Sequence, residues 1–162
     1  METLLVLFGA FTLTLLIIWL TTKRLDLKFS ARVAMAIMLV FTAISHFVFT
    51  KGMTMMIPFL PLPTVIVILT GIIELIAAIG LLLPNTKVLT GKLLILFFIL
   101  LFPANIYAAI HHINLQTADY TGKDISYLWV RIPMQLLFIA WVYFSTINQS
   151  TIKISHQENT HH

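Results

Sequence analysis

The side chains in this sequence that could do chemistry are few and stand in apolar surroundings: His46, Glu74, Asn105, His112, Arg131 and Gln135. Glu74 is the most telling. It lies near the middle of Pro63–Pro84, a nearly all-apolar run of membrane-crossing length with a proline at each end. A charged group at bilayer depth costs roughly 2.5–3.5 kcal/mol on insertion scales, so it should face the bundle interior and meet a partner. Thr70, Gly71, Ala77 and Ala78 fall at i−4, i−3, i+3 and i+4 from it, a face of small residues against which a helix or a ligand can pack closely.

Depth ties the set together. At a rise of 1.5 Å per residue, Glu74 is roughly 15 Å from one membrane face, Asn105 about 10 Å, and His46, Arg131 and Gln135 about 5–10 Å. His112 follows Asn105 at i+7 on the same helical face, with Ala108 and Ala109 between them leaving a groove. The other halves of these helices read as almost wholly aliphatic. A polar pocket opening toward one side is expected. Glu74 or His46 would exchange protons with a ligand there, and Asn105, Arg131 and Gln135 would hydrogen-bond it.

Each member also has a plainer reading. Glu74 could be a neutral carboxyl hydrogen-bonded between helices, and His46 an interhelical hydrogen-bonder. Arg131 either pairs with Glu74 or snorkels to lipid headgroups. Asn105 and Gln135 are common glue between membrane helices. Met35, Met38, Met53, Met55 and Met56 read as packing or interface residues rather than a copper path. A haem would need His46 with His111 or His112 on facing helices, a weaker reading, and no metal-ligand spacing stands out.

The elements that must position these groups are helices. Of 162 residues, 59% are hydrophobic and 10% charged, and the mean hydropathy is +0.98, more apolar surface than a soluble domain of this length can hide. The fold class is all-α: a polytopic membrane bundle of about five spans. Leu4–Leu20 reads as a retained, peripheral first span. The second runs from Arg32 or Val33 to Phe49, the third is the Glu74 run, the fourth runs from Leu93 to His112 with Pro103 inside it, and the fifth from Tyr127 to Ile147. Thr50–Pro63 is too rich in proline for a helix and is expected to cap the bundle. Asn114–Ser126, with Asp119, Lys123 and Asp124, reads as a solvated loop. The segments are 1–30, a first helix and basic loop; 31–147, a four-helix domain; and 148–162, a polar tail read as disordered.

Basic residues set the orientation. Lys23, Arg24, Lys28, Arg32, Lys87, Lys92 and Lys153 fall on one side, and Lys51, Lys123 and Arg131 on or toward the other. The positive-inside rule then puts the N-terminus out and the C-terminus in. These charges are topology signals, and nucleic acid need not be invoked. The chain has no cysteine, which excludes disulfide and thiolate chemistry within it.

With those residues placed, the chain resembles the DoxX family of small bacterial membrane proteins over about Arg32–Val142. The likeness rests on His46-Phe47, the Ile57-Pro58 and Leu60-Pro61 loop, Gly71-Ile-Ile-Glu74 followed by Gly80-Leu-Leu-Leu-Pro84, Pro103-Ala-Asn105, and Arg131-Ile-Pro133-Met-Gln135. The resemblance implies a four-helix core, with the first helix as an addition, in a bacterial inner membrane. It also implies an association with redox chemistry, as in subunits of thiosulfate:quinone oxidoreductase or companions of periplasmic redox enzymes. Dithiol chemistry seen as typical of some relatives cannot operate without cysteine.

The resulting expectation is a redox-associated membrane protein binding a quinone or similar amphipathic ligand, as a subunit or companion of a periplasmic or membrane oxidoreductase. The alternatives are a non-enzymatic assembly module with a structural polar cluster and, more weakly, a small-solute transporter, for which broken half-helices are absent. Lipid is the certain neighbour; catalysis and oligomerisation stay open.

Overall fold

The computed structural model describes residues 2–23, 25–122 and 125–148. Arg24, Lys123, Asp124, Lys153 and the tail beyond 148 lie outside the described residues. All the regular elements among them are helical: α1 Glu2–Thr22, α2 Leu27–Val48, α3 Thr50–Thr54, α4 Pro63–Leu82, α5 Lys87–Ile110 and α6 Leu128–Val142, the last entered through a 3₁₀ turn at Ile125–Tyr127 and continued by a π turn at Tyr143–Ile147. Among the described residues, five helical stretches are long and apolar enough to cross a membrane. Large apolar side chains such as Leu5, Ile76, Leu100 and Leu136 point outward.

Local chemistry moves two helix starts away from the sequence expectation. Asp26 caps α2 by accepting from the Phe29 amide at 2.9 Å, satisfying one of the unpaired donors at a helix N-terminus. The helix therefore begins at Leu27, and Arg32 sits inside it rather than at its start. Arg32 is buried, and its Nη1 donates to the Ser145 carbonyl at 3.2 Å. That adds a packing role to its place among the basic residues at this end of the bundle. Ser30, Ser145 and Thr146 are buried around the same end, so that half of the bundle is not wholly aliphatic. Helix α5 starts at Lys87 rather than Leu93 and runs on through Pro103.

The segment expected to be non-helical contains the short α3, which packs on α4. Pro63 occupies the first turn of α4, where its missing N–H is no loss. Its ring disfavours the right-handed helical region for the preceding residue, and Leu62 takes φ 53°.

Helix α1 lies at the edge of the bundle against α2, as expected, but it contributes to the core. Leu7 and Ala10 are buried in the main core with Met35, Met38, Leu39, Leu81, Leu94 and Val142. Phe8 and Phe11 both meet Trp141 edge-on, at 5.6 and 5.2 Å between ring centroids. Trp141 in turn donates to the Ala31 carbonyl at 2.9 Å, joining α6 to α2. Met35 and Met38 are fully buried packing residues.

Candidate functional site

The geometry starts from a glycine. Helices α2 and α4 pack along one another, and a Cβ placed on Gly71 would stand 3.0 Å from the His46 Cβ. Without a side chain at 71, the helices approach closely enough for His46 to reach Glu74, one turn further along α4. The small face of α4 is thus covered by α2 at Gly71.

His46 Nε2 is 3.5 Å from Glu74 Oε1, an ion-pair distance rather than that of a good hydrogen bond. On the other side of the ring, His46 Nδ1 lies 3.1 Å from the Thr70 hydroxyl. Thr70 Oγ1 also lies 2.7 Å from the Val67 carbonyl, to which it donates. Glu74 is 4% exposed. Its second oxygen, Oε2, is buried and has no hydrogen-bond partner among the described residues. Burying such an acceptor without a donor costs about 1–3 kcal/mol, more for a charged group.

Glu74 lines a cavity of about 690 Å³ together with His46, Asn105, Arg131 and Gln135. Its walls include Met38, Phe41, Phe98, Leu101, Met134 and Phe138. A second polar network, from α5 and α6, borders the same space. Arg131 Nη1 donates to Asn105 Oδ1, and the guanidinium lies 5.2 Å from the centre of the Tyr127 ring. Gln135 Nε2 donates to the Phe98 carbonyl at 2.5 Å. Arg131 is therefore neither paired with Glu74 nor released to the surface. Each helix pair, α2 with α4 and α5 with α6, carries its own polar stitch, and both stitches face one cavity.

His112 is not brought to that cavity. Helix α5 ends at Ile110, and His112 adopts φ 52° in an exposed position, turning the chain into the following loop. His111 stacks outward on Tyr107 at 3.9 Å between ring centroids. Neither lines the cavity with His46, so the paired-histidine haem reading finds no second ligand there among the described residues.

Other lining residues escaped the sequence reading. Glu2 and Thr3 reach the cavity from the start of α1, and Thr3 Oγ1 contacts Met134 Sδ at 3.6 Å. Topology was the available signal, because in an antiparallel α1–α2 pair the first residues lie beside the end of α2. The loop after α5 is ordered rather than merely solvated. Asn114 and Asp119 form an isolated bridge, and the Asn114 side chain accepts from the Gln116 amide at 3.1 Å. Asp119 accepts from the Thr121 hydroxyl at 2.5 Å and the Thr121 amide at 2.9 Å. These bonds, with a further one from the Thr117 side chain, hold the Asp119 carboxyl below its ordinary range. Asn114, Leu115, Gln116, Thr121 and Gly122 line the cavity. Gly52 of α3 lies against the Leu115 backbone so closely that a Cβ would collide with it. The loop and α3 together roof the cavity, through an apolar cluster of Met53, Met56, Ala108, Ile113 and Leu115.

The described residues, all-helical with five apolar helices of membrane-crossing length around a partly polar cavity, are compatible with a multi-pass membrane protein. The chain belongs to the family described as Domain of unknown function (DUF8561), whose family model matches residues 35–146. That match begins in the third turn of α2, runs to the π turn and leaves α1 outside. No curated protein and no solved structure matches the chain.

Proposed function

We propose that this protein is a five-span bacterial inner-membrane protein that binds a quinone or similarly amphipathic ligand in the Glu74 cavity, as a subunit or companion of an oxidoreductase. In this reading α2, α4, α5 and α6 form a DoxX-like four-helix core with α1 added to it. The N-terminus is outside and the C-terminus inside, because Lys23, Lys28, Lys87 and Lys92 gather at the end of the helices away from His46. The cavity then opens in the outer leaflet.

The observation that carries the reading is a buried acid, Glu74, in the lining of a cavity of about 690 Å³ that it shares with His46, Asn105, Arg131 and Gln135. That volume suits a ring-sized headgroup, and ligand sites combine apolar walls with a few convergent polar groups in this way. Purified protein in lipid nanodiscs should show tryptophan quenching and a thermal upshift with menaquinone or ubiquinone analogues. No response to either class would overturn the proposal.

A second reading has its own support. Arg131–Asn105 and Gln135–Phe98 are closed interhelical bonds, as a structural cluster in an assembly module would have. Under that reading, Glu74→Gln leaves ligand responses unchanged and alters the set of co-purifying membrane proteins.

A further inference from the structure

The cavity beside Glu74 is closed on most sides by close packing. Its floor is Met38 with Phe98 and Phe138, all buried, the two rings 5.9 Å apart. Its roof is the loop after α5 laid on α3. A Cβ on Gly52 would strike the Leu115 backbone and one on Gly122 the Ile113 backbone, and the Gly122 amide donates to the His112 carbonyl at 2.6 Å. Around the sides, α1 packs along α2, α2 along α4, α4 along α5 and α5 along α6. Contacts at interior packing density leave no passage unless whole elements separate.

The seam between α1 and α6 is different. These two helices have no extended packing with each other, and side chains bridge them. Deeper along α1 the bridge is aromatic, Phe8 and Phe11 on Trp141. Beside the cavity it is Thr3 Oγ1 against Met134 Sδ at 3.6 Å. Both residues line the cavity, and both are only half-buried. A thioether is a weak acceptor, and methionine turns about three bonds and refills irregular space easily. Their neighbours Leu5 and Leu136 are 74% and 61% exposed on the outer surface. The wall here is one side chain thick.

We infer that the cavity opens sideways into the bilayer between α1 and α6, with the Met134 side chain as its movable gate and Thr3 as the stop. Its occupant arrives dissolved in lipid, head between the helices and chain left in the seam, and not from water through the roof. What passes through rests on the ligand-binding reading above; the opening itself does not. One jamb is α1, the helix outside the family match. Thr3 and Met134 set the route, and the polar groups deeper in the cavity hold what enters.

The chain has no cysteine, so one reporter thiol, Thr42→Cys, reads access to the cavity lining without background. The full chain is placed in nanodiscs of phosphatidylethanolamine and phosphatidylglycerol, and each rate is referred to Tyr120→Cys in the exposed loop. A bilayer-dissolved pyrene maleimide should label the reporter severalfold faster than a charged stilbene-disulfonate maleimide offered from both faces. Adding Met134→Ala should raise the pyrene rate severalfold, and Met134→Leu, of similar volume, should keep it near native. Thr3→Ala, at the exposed start of α1, should raise it too and serves if Met134→Ala does not fold. Binding of a decyl-tailed benzoquinone should quicken in the same variants. Faster labelling by the charged reagent, or none by either, overturns the sideways opening and leaves the ligand-binding reading to its own test. A pyrene rate unchanged in folded Met134→Ala and Thr3→Ala chains, judged by thermal unfolding, overturns its placement at this seam. Pyrene labelling as expected with no benzoquinone binding overturns the ligand-binding reading and leaves the opening standing.

Discussion

Gly71 and His46 face each other across α2 and α4 with little room for a Cβ at 71, which would stand 3.0 Å from the His46 Cβ and 3.2 Å from the Phe47 ring. That closeness is what delivers His46 to Glu74. Glycine in a helix interior is ordinarily unfavourable by about 1 kcal/mol relative to alanine, so its use here is decided by packing. Gly71→Ala should bring a small net change, the propensity gain offsetting the tight contact. Gly71→Val should force the helices apart and destabilise by about 1–3 kcal/mol, read as a lower unfolding temperature together with lost ligand response.

The Arg131–Asn105 bond should be worth measuring as a pair. Arg131→Ala and Asn105→Ala remove one shared interaction between α5 and α6, and contacting residues of this kind are non-additive by about 0.5–3 kcal/mol. A double-mutant cycle on unfolding should show that coupling. Additive losses would mean that the two side chains act separately.

At the other end of the bundle, Arg32 ties α2 to the π turn through the Ser145 carbonyl. If it served only as a topology charge, Arg32→Lys would be neutral. Because it is buried and donates directionally, Arg32→Lys and Arg32→Met should each lower stability, by about 1–3 kcal/mol for the donor lost to a buried carbonyl. Thermal unfolding in detergent distinguishes the two cases.

Asp119 gives a pH dependence with a definite sign. Hydrogen bonds from Thr121 and Thr117 hold its carboxyl below the usual range. Its contribution to the roof loop is complete above the unfolded aspartate value of about 3.9 and is lost as pH falls through the lower folded value. Amide exchange at Thr121 should be protected at neutral pH and lose protection on strong acidification. Asp119→Ala should lose that protection at neutral pH as well.

These relationships differ in how far the sequence exposed them. A lone acid in a long apolar run with small neighbours is a strong pattern, because burying it without purpose is so unfavourable; Glu74 and its cavity were legible for that reason. Arg131 and Gln135 followed from their spacing along one face of α6. Arg32 was not legible as a buried group, since a basic residue at the start of a span reads as a topology charge, and the capping bond at Asp26 moves the helix start five residues ahead of it. Helix α1 is apolar on every side, which left no periodicity to show that Leu7 and Ala10 face the core. His112 was misplaced because helix α5 ends without a glycine or proline to mark it; a histidine takes the left-handed position that glycine usually fills at such an end.

The central claim is that the cavity beside Glu74 is a ligand site and not sealed packing. Mass spectrometry of the small lipophilic molecules retained by the native chain and by Glu74→Gln, both extracted in mild detergent, tests it most directly. The account predicts an isoprenoid quinone or quinol near stoichiometric amounts on the native protein and a marked loss from the folded variant. Equal retention by both, or none by either, would contradict it.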